Sequence, residues 1–301
     1  MKNRALIFDI RRFSMHDGAG IRTTIFFKGC PLHCIWCQNP EGIEKNARLV
    51  HFPAKCILCN YCIKLKDNAV TMENNKIIID TSKVIDAAEY EYICPSGALR
   101  MDSKYYSSDE LMTIVKKDMP FFKYGGGVTL SGGEPFFQAD FIIKFLEKLQ
   151  LAGIYTAVET SFFAVWEKIE QALPFIDTLF VDFKIYDNGK HKKYTNMDNI
   201  LIKNNIKKVL QSKYSNKVII RTPLIPKYTA TKENLSLIAE TLAKWNKNVN
   251  YELLNYNPLA RAKYQHVAYD YCFVEDKPLY TQAEMNSFYS IIKEAGIKNF
   301  R

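Results

Sequence analysis

The chain has 301 residues, 48% of them hydrophobic, enough to bury a full-sized core in one large domain or in one domain plus a small module. Its formal charge of +9 arises from 41 Lys and Arg against 32 Asp and Glu, with the two signs interleaved, so most charges are read as solvated surface. No dense basic tract, nucleic-acid motif or run of about 18 uncharged apolar residues is present, so neither a nucleic-acid partner nor a membrane span is expected. The amino-terminal apolar run is broken by Asp9 and Arg11 before a secretory segment can form, which makes the cytoplasm the expected location. Seven of the eight cysteines precede residue 95, and in a reducing setting such clustering argues for metal rather than disulfides.

In chain order, a first apolar strand is predicted over Thr23 to Phe27. Residues 46–103 then break the pattern, carry four cysteines and read as an inserted module. Beyond them strands are predicted over Gly127 to Leu130, Tyr155 to Glu159, Thr178 to Phe183, Val218 to Pro223 and Tyr251 to Leu254. Amphipathic helical stretches alternate with them: Phe137 to Leu149, Ala164 to Leu173, Ile200 to Leu210, Lys232 to Trp245 and Thr281 to Ala295. Alternation of this kind is the α/β signature of parallel strands with crossover helices. Six units are too few for a closed eight-stranded barrel, so the expected architecture is a partial (β/α)6 TIM-like barrel built from residues 1–45 and 104–301, its site at the C-terminal ends of the strands.

Directly after the first strand, Gly29-Cys30-Pro31-Leu32-His33-Cys34-Ile35-Trp36-Cys37 places three thiols within eight positions. Three cysteines are one short of a filled four-iron cluster and would leave one iron open to a small chelating molecule. A zinc site is the alternative, with His33 or His51 as a fourth ligand, although the spacing is unusual for zinc. Asp182 and Lys184 stand two apart at strand spacing and can face one ligand, or simply pair with each other as a buried salt bridge. Gly132-Gly133-Glu134-Pro135 is either an ordinary strand-to-helix turn or a backbone approach to a ligand, with Pro135 fitting the first helical turn.

Taken together, the Cys30, Cys34 and Cys37 spacing, Trp36, the approach Asp17-Gly18-Ala19-Gly20-Ile21-Arg22 and the run Tyr124 to Pro135 resemble the radical S-adenosylmethionine superfamily. With Glu159-Thr160-Ser161, Asp182-Phe183-Lys184 and Arg221 to Pro226, they look more narrowly like the activating enzymes of glycyl radical enzymes. The resemblance implies that S-adenosylmethionine chelates the open iron through its amino and carboxylate groups. Its ammonium would meet the carbonyls and carboxylate of Gly132, Gly133 and Glu134, and its carboxylate Lys184. Asp182 and Glu159 would help bind a monovalent cation. Trp36, Gln38, Thr160 and Arg221 would belong to the same pocket. Asn257 stands where the family pattern has a histidine that contacts the nucleoside. The implied reaction cleaves S-adenosylmethionine reductively to a 5′-deoxyadenosyl radical, with Cys30, Cys34, Cys37, Asp182 and Lys184 as its central residues. The radical takes hydrogen from a glycine of a partner glycyl radical enzyme, and a flavodoxin- or ferredoxin-type donor supplies the electron.

Within the insert, Cys56-x-x-Cys59-x-x-Cys62 followed by Cys94-Pro95 resembles half of a two-cluster bacterial ferredoxin and implies one auxiliary four-iron cluster. The positions that would ligate a second ferredoxin cluster read Lys66, Val84, Ala87 and Tyr90. Two clusters and about eight irons per chain are therefore expected, not about twelve. A four-cysteine zinc knuckle is the alternative for the insert. Cys272 is read as a packed thiol, and His16, His33, His51, His191 and His266 are given no role. Two other functions stay open at this point: a radical S-adenosylmethionine enzyme acting on another peptide or small molecule, and a non-catalytic iron-sulfur electron carrier.

Overall fold

In a computed structural model of the protein, residues 3–267, 271 and 278–301 are described, so Cys272 and the side chain of His266 lie outside the described residues. Among the described residues, thirteen strands and eight α-helices follow in order: β1 (Arg4–Ser14), β2 (Arg22–Phe27), β3 (Leu49–His51), β4 (Val70–Glu73), β5 (Lys76–Ile79), α1 (Ala87–Ile93), β6 (Leu99–Met101), β7 (Lys104–Ser107), α2 (Ser108–Lys116), β8 (Gly127–Gly132), α3 (Ala139–Leu151), β9 (Thr156–Thr160), α4 (Trp166–Ala172), β10 (Thr178–Asp182), α5 (Asn188–Thr195), α6 (Ile200–Leu210), β11 (Val218–Pro223), α7 (Lys232–Trp245), β12 (Asn250–Leu254), α8 (Gln282–Glu294) and β13 (Asn299–Phe300).

Nine strands form one largely parallel sheet in the order β13-β12-β11-β10-β9-β8-β2-β1-β7. From β2 to β13 every neighbouring pair is parallel, while β1 runs antiparallel to both β2 and β7. After β2, each parallel strand lies beside its predecessor, so the chain winds in one direction and never reverses, unlike a doubly wound sheet. The six predicted parallel strands and five predicted helices are all present. The sequence pattern did not reveal β1, β3 to β7, β13, α1, α2 or α5.

Strand alternation gives the sheet two different faces. Ile25, Phe27, Leu130, Val158, Val181, Ile220 and Leu253 point into the apolar core formed with the helices. The register places Phe26, Ser131, Glu159, Phe180, Asp182, Arg221 and Glu252 on the opposite face. Helix ends are capped by side chains that the backbone needs there: Ser107 with Glu110 on α2 and Thr281 with Glu284 on α8 each close a capping box.

Between β2 and β7, β3 pairs antiparallel with β6, and β4 and β5 form a hairpin through Asn74 and Asn75, both left-handed. Leu49, Cys62, Ala69, Val70, Tyr90 and Leu99 make a separate small core there, with Val84, Ala87 and Cys94 packed against it. Three positions that a second ferredoxin cluster would need, Val84, Ala87 and Tyr90, thus supply packing. Among the described residues no helix is long and apolar enough to cross a membrane.

Candidate active site

The C-terminal ends of the parallel strands share one edge of the sheet, and the Cys30–Cys37 loop leaves the first of them. That loop has little regular structure, so its backbone must find partners elsewhere. Gly29 N–H donates to the Gly42 carbonyl (2.8 Å) and Cys30 N–H to that of Ile43 (3.0 Å). The last residues of α5 accept from the loop as well, Thr195 from His33 (2.8 Å) and Tyr194 from Ile35 (3.1 Å). The Tyr264 hydroxyl donates to the Cys37 carbonyl (3.2 Å), and the Gln38 amide to the Asn257 carbonyl (3.0 Å). Trp36 is buried against Tyr228, with ring centroids 5.8 Å apart.

Burial dominates the chemistry of the three thiols. It pushes Cys34 up to about 12, against the favourable field of Lys184, and Cys37 up to about 11. Cys30 is held well above the ordinary thiol range, by burial first and then by Glu134 and the other two thiols. These sites disfavour a bare thiolate and suit one whose charge is passed to a metal. Among the described residues no three His, Cys, Asp or Glu side chains converge on a single ion. A four-iron cluster makes no such demand, because it bonds each cysteine to a different iron. On these grounds the residues fit that cluster.

Beside the loop, Lys184 is paired with Asp182. Burial alone would lower the lysine, but Asp182 and the neighbouring thiols outweigh it and hold its ammonium above the ordinary range. The polar face of the sheet continues as a ladder. Ser131 donates to Glu159 (2.6 Å), and the Arg221 guanidinium bridges Glu159 (2.7 Å) and Glu252 (2.6 Å) while lying 3.4 Å from the centroid of Phe180. Burial raises Glu159 above the usual carboxylate range, with Arg221 and Ser131 opposing it. The two carboxylates expected to share a cation, Glu159 and Asp182, are therefore each already paired with a cationic side chain.

The Gly132-Gly133-Glu134 turn crosses the cysteine loop at close quarters. Gly132 is left-handed, and a Cβ there would meet the Phe27 backbone at 2.5 Å; one on Gly133 would meet the Gly42 and Gly29 carbonyls at 2.4 and 2.6 Å. Glu134, only 1% exposed, does not present a free carboxylate. One oxygen accepts from the Thr160 hydroxyl (2.7 Å) and Phe136 N–H (3.1 Å), the other from the Ser161 N–H (2.8 Å) and hydroxyl (2.5 Å). It ties the end of β8 to the end of β9. Thr160 falls on the helix-facing side of β9 and acts through Glu134. Asn257 uses its side-chain oxygen to accept from Leu259 N–H (3.0 Å).

Several residues that shape this region were given no role of their own from sequence. Arg22, 1% exposed, donates to the Thr129 hydroxyl (2.6 Å) and to the Ala19 (3.1 Å) and Val128 (2.8 Å) carbonyls, pinning the Asp17–Ile21 approach to β8. Its guanidinium is lowered to about 10 by burial. Lys28, also 1% exposed, reaches Asp102 (2.6 Å) and the Glu41 carbonyl (2.7 Å), while Asp102 accepts from Arg48 N–H (3.0 Å). Both ends of the 46–103 segment are thereby clipped beside the cysteine loop. A cavity of 560 Å³ lies at this seam, lined by Phe8, Asp9, Phe52, Arg100, Asp102 and Lys104 among others, and touches none of the cysteines. Cys56, Cys59, Cys62 and Cys94 instead line a separate cavity with His51 and Leu99. There Leu99 N–H donates to the Cys94 sulfur (3.4 Å); burial opposes the Cys94 thiolate, but this bond and the Ser96 hydroxyl bring the thiol below its ordinary value.

The description of the Radical SAM superfamily matches residues 24–236. The isethionate sulfite-lyase activating enzyme of Oleidesulfovibrio alaskensis is 36% identical over 270 residues, which cover 87% of each chain. The 4-hydroxyphenylacetate decarboxylase activating enzyme of Clostridium scatologenes is 37% identical over 90% of this chain and 89% of its own. The (2S)-3-sulfopropanediol sulfolyase activating enzyme of Bilophila wadsworthia is 35% identical over 88% of this chain and 89% of its own. The chain belongs to the radical S-adenosylmethionine superfamily and, within it, to the enzymes that activate glycyl radical enzymes through reductive cleavage of S-adenosylmethionine.

Proposed function

We propose that Cys30, Cys34 and Cys37 hold a four-iron cluster whose open iron binds S-adenosylmethionine, and that the enzyme acts on a glycine of a partner glycyl radical enzyme. Three thiols, Cys34 buried and Cys30 and Cys37 half-buried, beside a half-buried, charged lysine at the strand ends carry this reading. Bound there, the two cofactors supply reductive carbon-sulfur cleavage and a 5′-deoxyadenosyl radical that removes hydrogen from the glycine α-carbon.

The protein's own residues bind and orient. Lys184 keeps its proton because Asp182 lies beside it, so it can meet the carboxylate of S-adenosylmethionine. Carbonyls of Gly132 and Gly133 serve the ammonium, and Glu134 and Thr160 position that turn. Trp36 and Gln38 brace the loop, and Asn257 offers its amide N–H₂ to the nucleoside. Arg221 fixes Glu159, and a monovalent cation would have to compete with Arg221 and Lys184 for Glu159 and Asp182. Phe26 and Phe180 keep the polar face of the sheet partly dry, which protects a radical from stray hydrogen donors.

Residues 1–45 and 104–301 are read as the partial (β/α)6 barrel and residues 46–103 as a ferredoxin-like insert. Cys56, Cys59, Cys62 and Cys94 are assigned an auxiliary four-iron cluster, supported by their common cavity and the N–H bond to Cys94. A flavodoxin- or ferredoxin-type protein in a reducing cytoplasm supplies the electron. The curated relatives serve a sulfite-lyase, a decarboxylase and a sulfolyase, and the sequence and structure choose none of these as the partner.

The test is anaerobic reconstitution followed by a strong one-electron reductant and S-adenosylmethionine. Wild type is expected to make 5′-deoxyadenosine and Cys34→Ala none, with about eight irons per wild-type chain. Full iron loading without any 5′-deoxyadenosine would end the proposal.

A further inference from the structure

We propose that the loop between Cys56 and Cys62 is the docking face for a small acidic one-electron carrier protein. This inference rests on the assignment of an auxiliary cluster to Cys56, Cys59, Cys62 and Cys94. Three of the four residues between the first and third cysteines that are not themselves cysteine are apolar and turned outward: Ile57 is 64% exposed, Tyr61 49% and Leu58 43%. Leu58 and Asn60 both take left-handed backbone, so the chain doubles back tightly at each and presents these side chains to solvent. Exposed side chains of this size on the very loop that ligates a cluster are poor for solubility and suit an interface.

Charge identifies the occupant. Lys55, Lys64 and Lys66 are exposed around the apolar centre, and the stretch from Pro53 to Lys66 contains no Asp or Glu. None of the three is ion-paired with a described residue. Lys55 and Lys64 rest instead over the rings of Phe52 and Tyr61, at 5.8 and 5.7 Å, leaving their ammonium groups toward solvent. An apolar centre with a cationic rim is complementary to an acidic partner, and it raises association rates more than it raises affinity. Redox partners use small, transient interfaces of this type. In the proposed step the carrier loses one electron and the cluster gains it, with no bond made or broken.

The experiment is anaerobic stopped-flow reduction of the reconstituted enzyme by flavodoxin hydroquinone, followed by absorbance, with dithionite as the control reductant. The variants are the triple Lys55→Glu, Lys64→Glu, Lys66→Glu and the double Ile57→Ser, Tyr61→Ser, neither of which touches a cysteine. Wild type should react with flavodoxin more slowly as salt is raised. The triple variant should lose on the order of tenfold or more in second-order rate and most of its salt dependence. The double variant should be slower but keep its salt dependence, and dithionite should reduce all three proteins equally. Equal flavodoxin rates for wild type and triple variant would overturn the proposal, as would loss of binding to a glycyl radical enzyme in place of loss of flavodoxin reduction. A parallel slowing with dithionite at full iron content overturns it too, because the lysines then act on the cluster and not on a carrier. Failure of the underlying assignment looks different: about four irons per wild-type chain and a single cluster signal in electron paramagnetic resonance.

Discussion

The two groups of cysteines, each proposed to hold iron, are built in opposite ways. Cys30, Cys34 and Cys37 sit where the main sheet ends, on a loop fixed through backbone bonds to the Pro40–Ile43 turn, α5 and Tyr264, and burial pushes all three thiols up. The four-cysteine site belongs to a small local core near the surface, where Cys62 is raised by burial but Cys94 is lowered by N–H and hydroxyl donors. In the first site burial disfavours the bare thiolates, which suits the proposed metal-bound role. In the other, hydrogen-bond donors favour a thiolate at Cys94, which suits the proposed relay role.

Separating the two sites should produce the largest effect. Cys34→Ala removes a ligand of the open cluster and should abolish 5′-deoxyadenosine formation. Cys59→Ala should lower iron from about eight to about four per chain yet leave cleavage driven by dithionite. Iron analysis and product quantification on both variants check this, and loss of cleavage in Cys59→Ala would show that the sites are not separable.

Next in size is the join between them. Lys28 is two residues before Cys30, and Asp102 is its carboxylate partner in a buried pair. Asp102→Ala would leave the ammonium buried and uncompensated, at a cost of about 3–5 kcal/mol. Replacing both, Lys28→Met with Asp102→Leu, should restore most of that loss. Anaerobic denaturant unfolding of the loaded enzyme measures it. Equal stability of Asp102→Ala and wild type would mean that the clip between insert and cysteine loop carries no weight.

Much of this comparison was legible in sequence, for identifiable reasons. Strands buried on both faces gave continuous apolar runs, and α6 and α7 fall at their predicted bounds because their apolar period is clean. Cysteine spacing picked out both groups of cysteines as candidates. In contrast, α5 reads NGKHKKYT and buries only His191 and Thr195, so it has no apolar stripe to reveal it. Its contribution to the site is made by main-chain carbonyls, which leave no mark on side-chain identity. The exposed second half of β1 hid that strand in the same way. The family resemblance implied Glu134 as a partner of the cofactor ammonium; its carboxylate also accepts from Phe136 nearby and from Thr160 and Ser161, whose contact sequence distance conceals. Glu252, a lone charge inside the apolar β12, was a signal available but unused.

The subtlest difference between the sites is one of sign, and it concerns the metal-free, reduced protein. An unfolded thiol titrates near about 8.5. Cys34 and Cys37, at about 12 and about 11 when folded, keep protons that the unfolded chain has released. Their contribution to stability is whole below about pH 8.5 and is lost as pH rises toward the folded values, at about 1.4 kcal/mol per pH unit for each thiol. Cys94 works in reverse: its lowered thiol contributes above the unfolded value and loses that contribution as pH falls through the folded one. Thermal melts of the metal-free protein should therefore show a melting temperature that falls from pH 8.5 to pH 10.5, and the Cys34→Ser, Cys37→Ser double variant should flatten the decline. Iron loading should flatten it too, because a ligated thiolate has no proton left to lose. An unchanged slope in the double variant would mean that burial of the strand-end loop does not govern those thiols, and the contrast between the two sites would then rest on exposure alone.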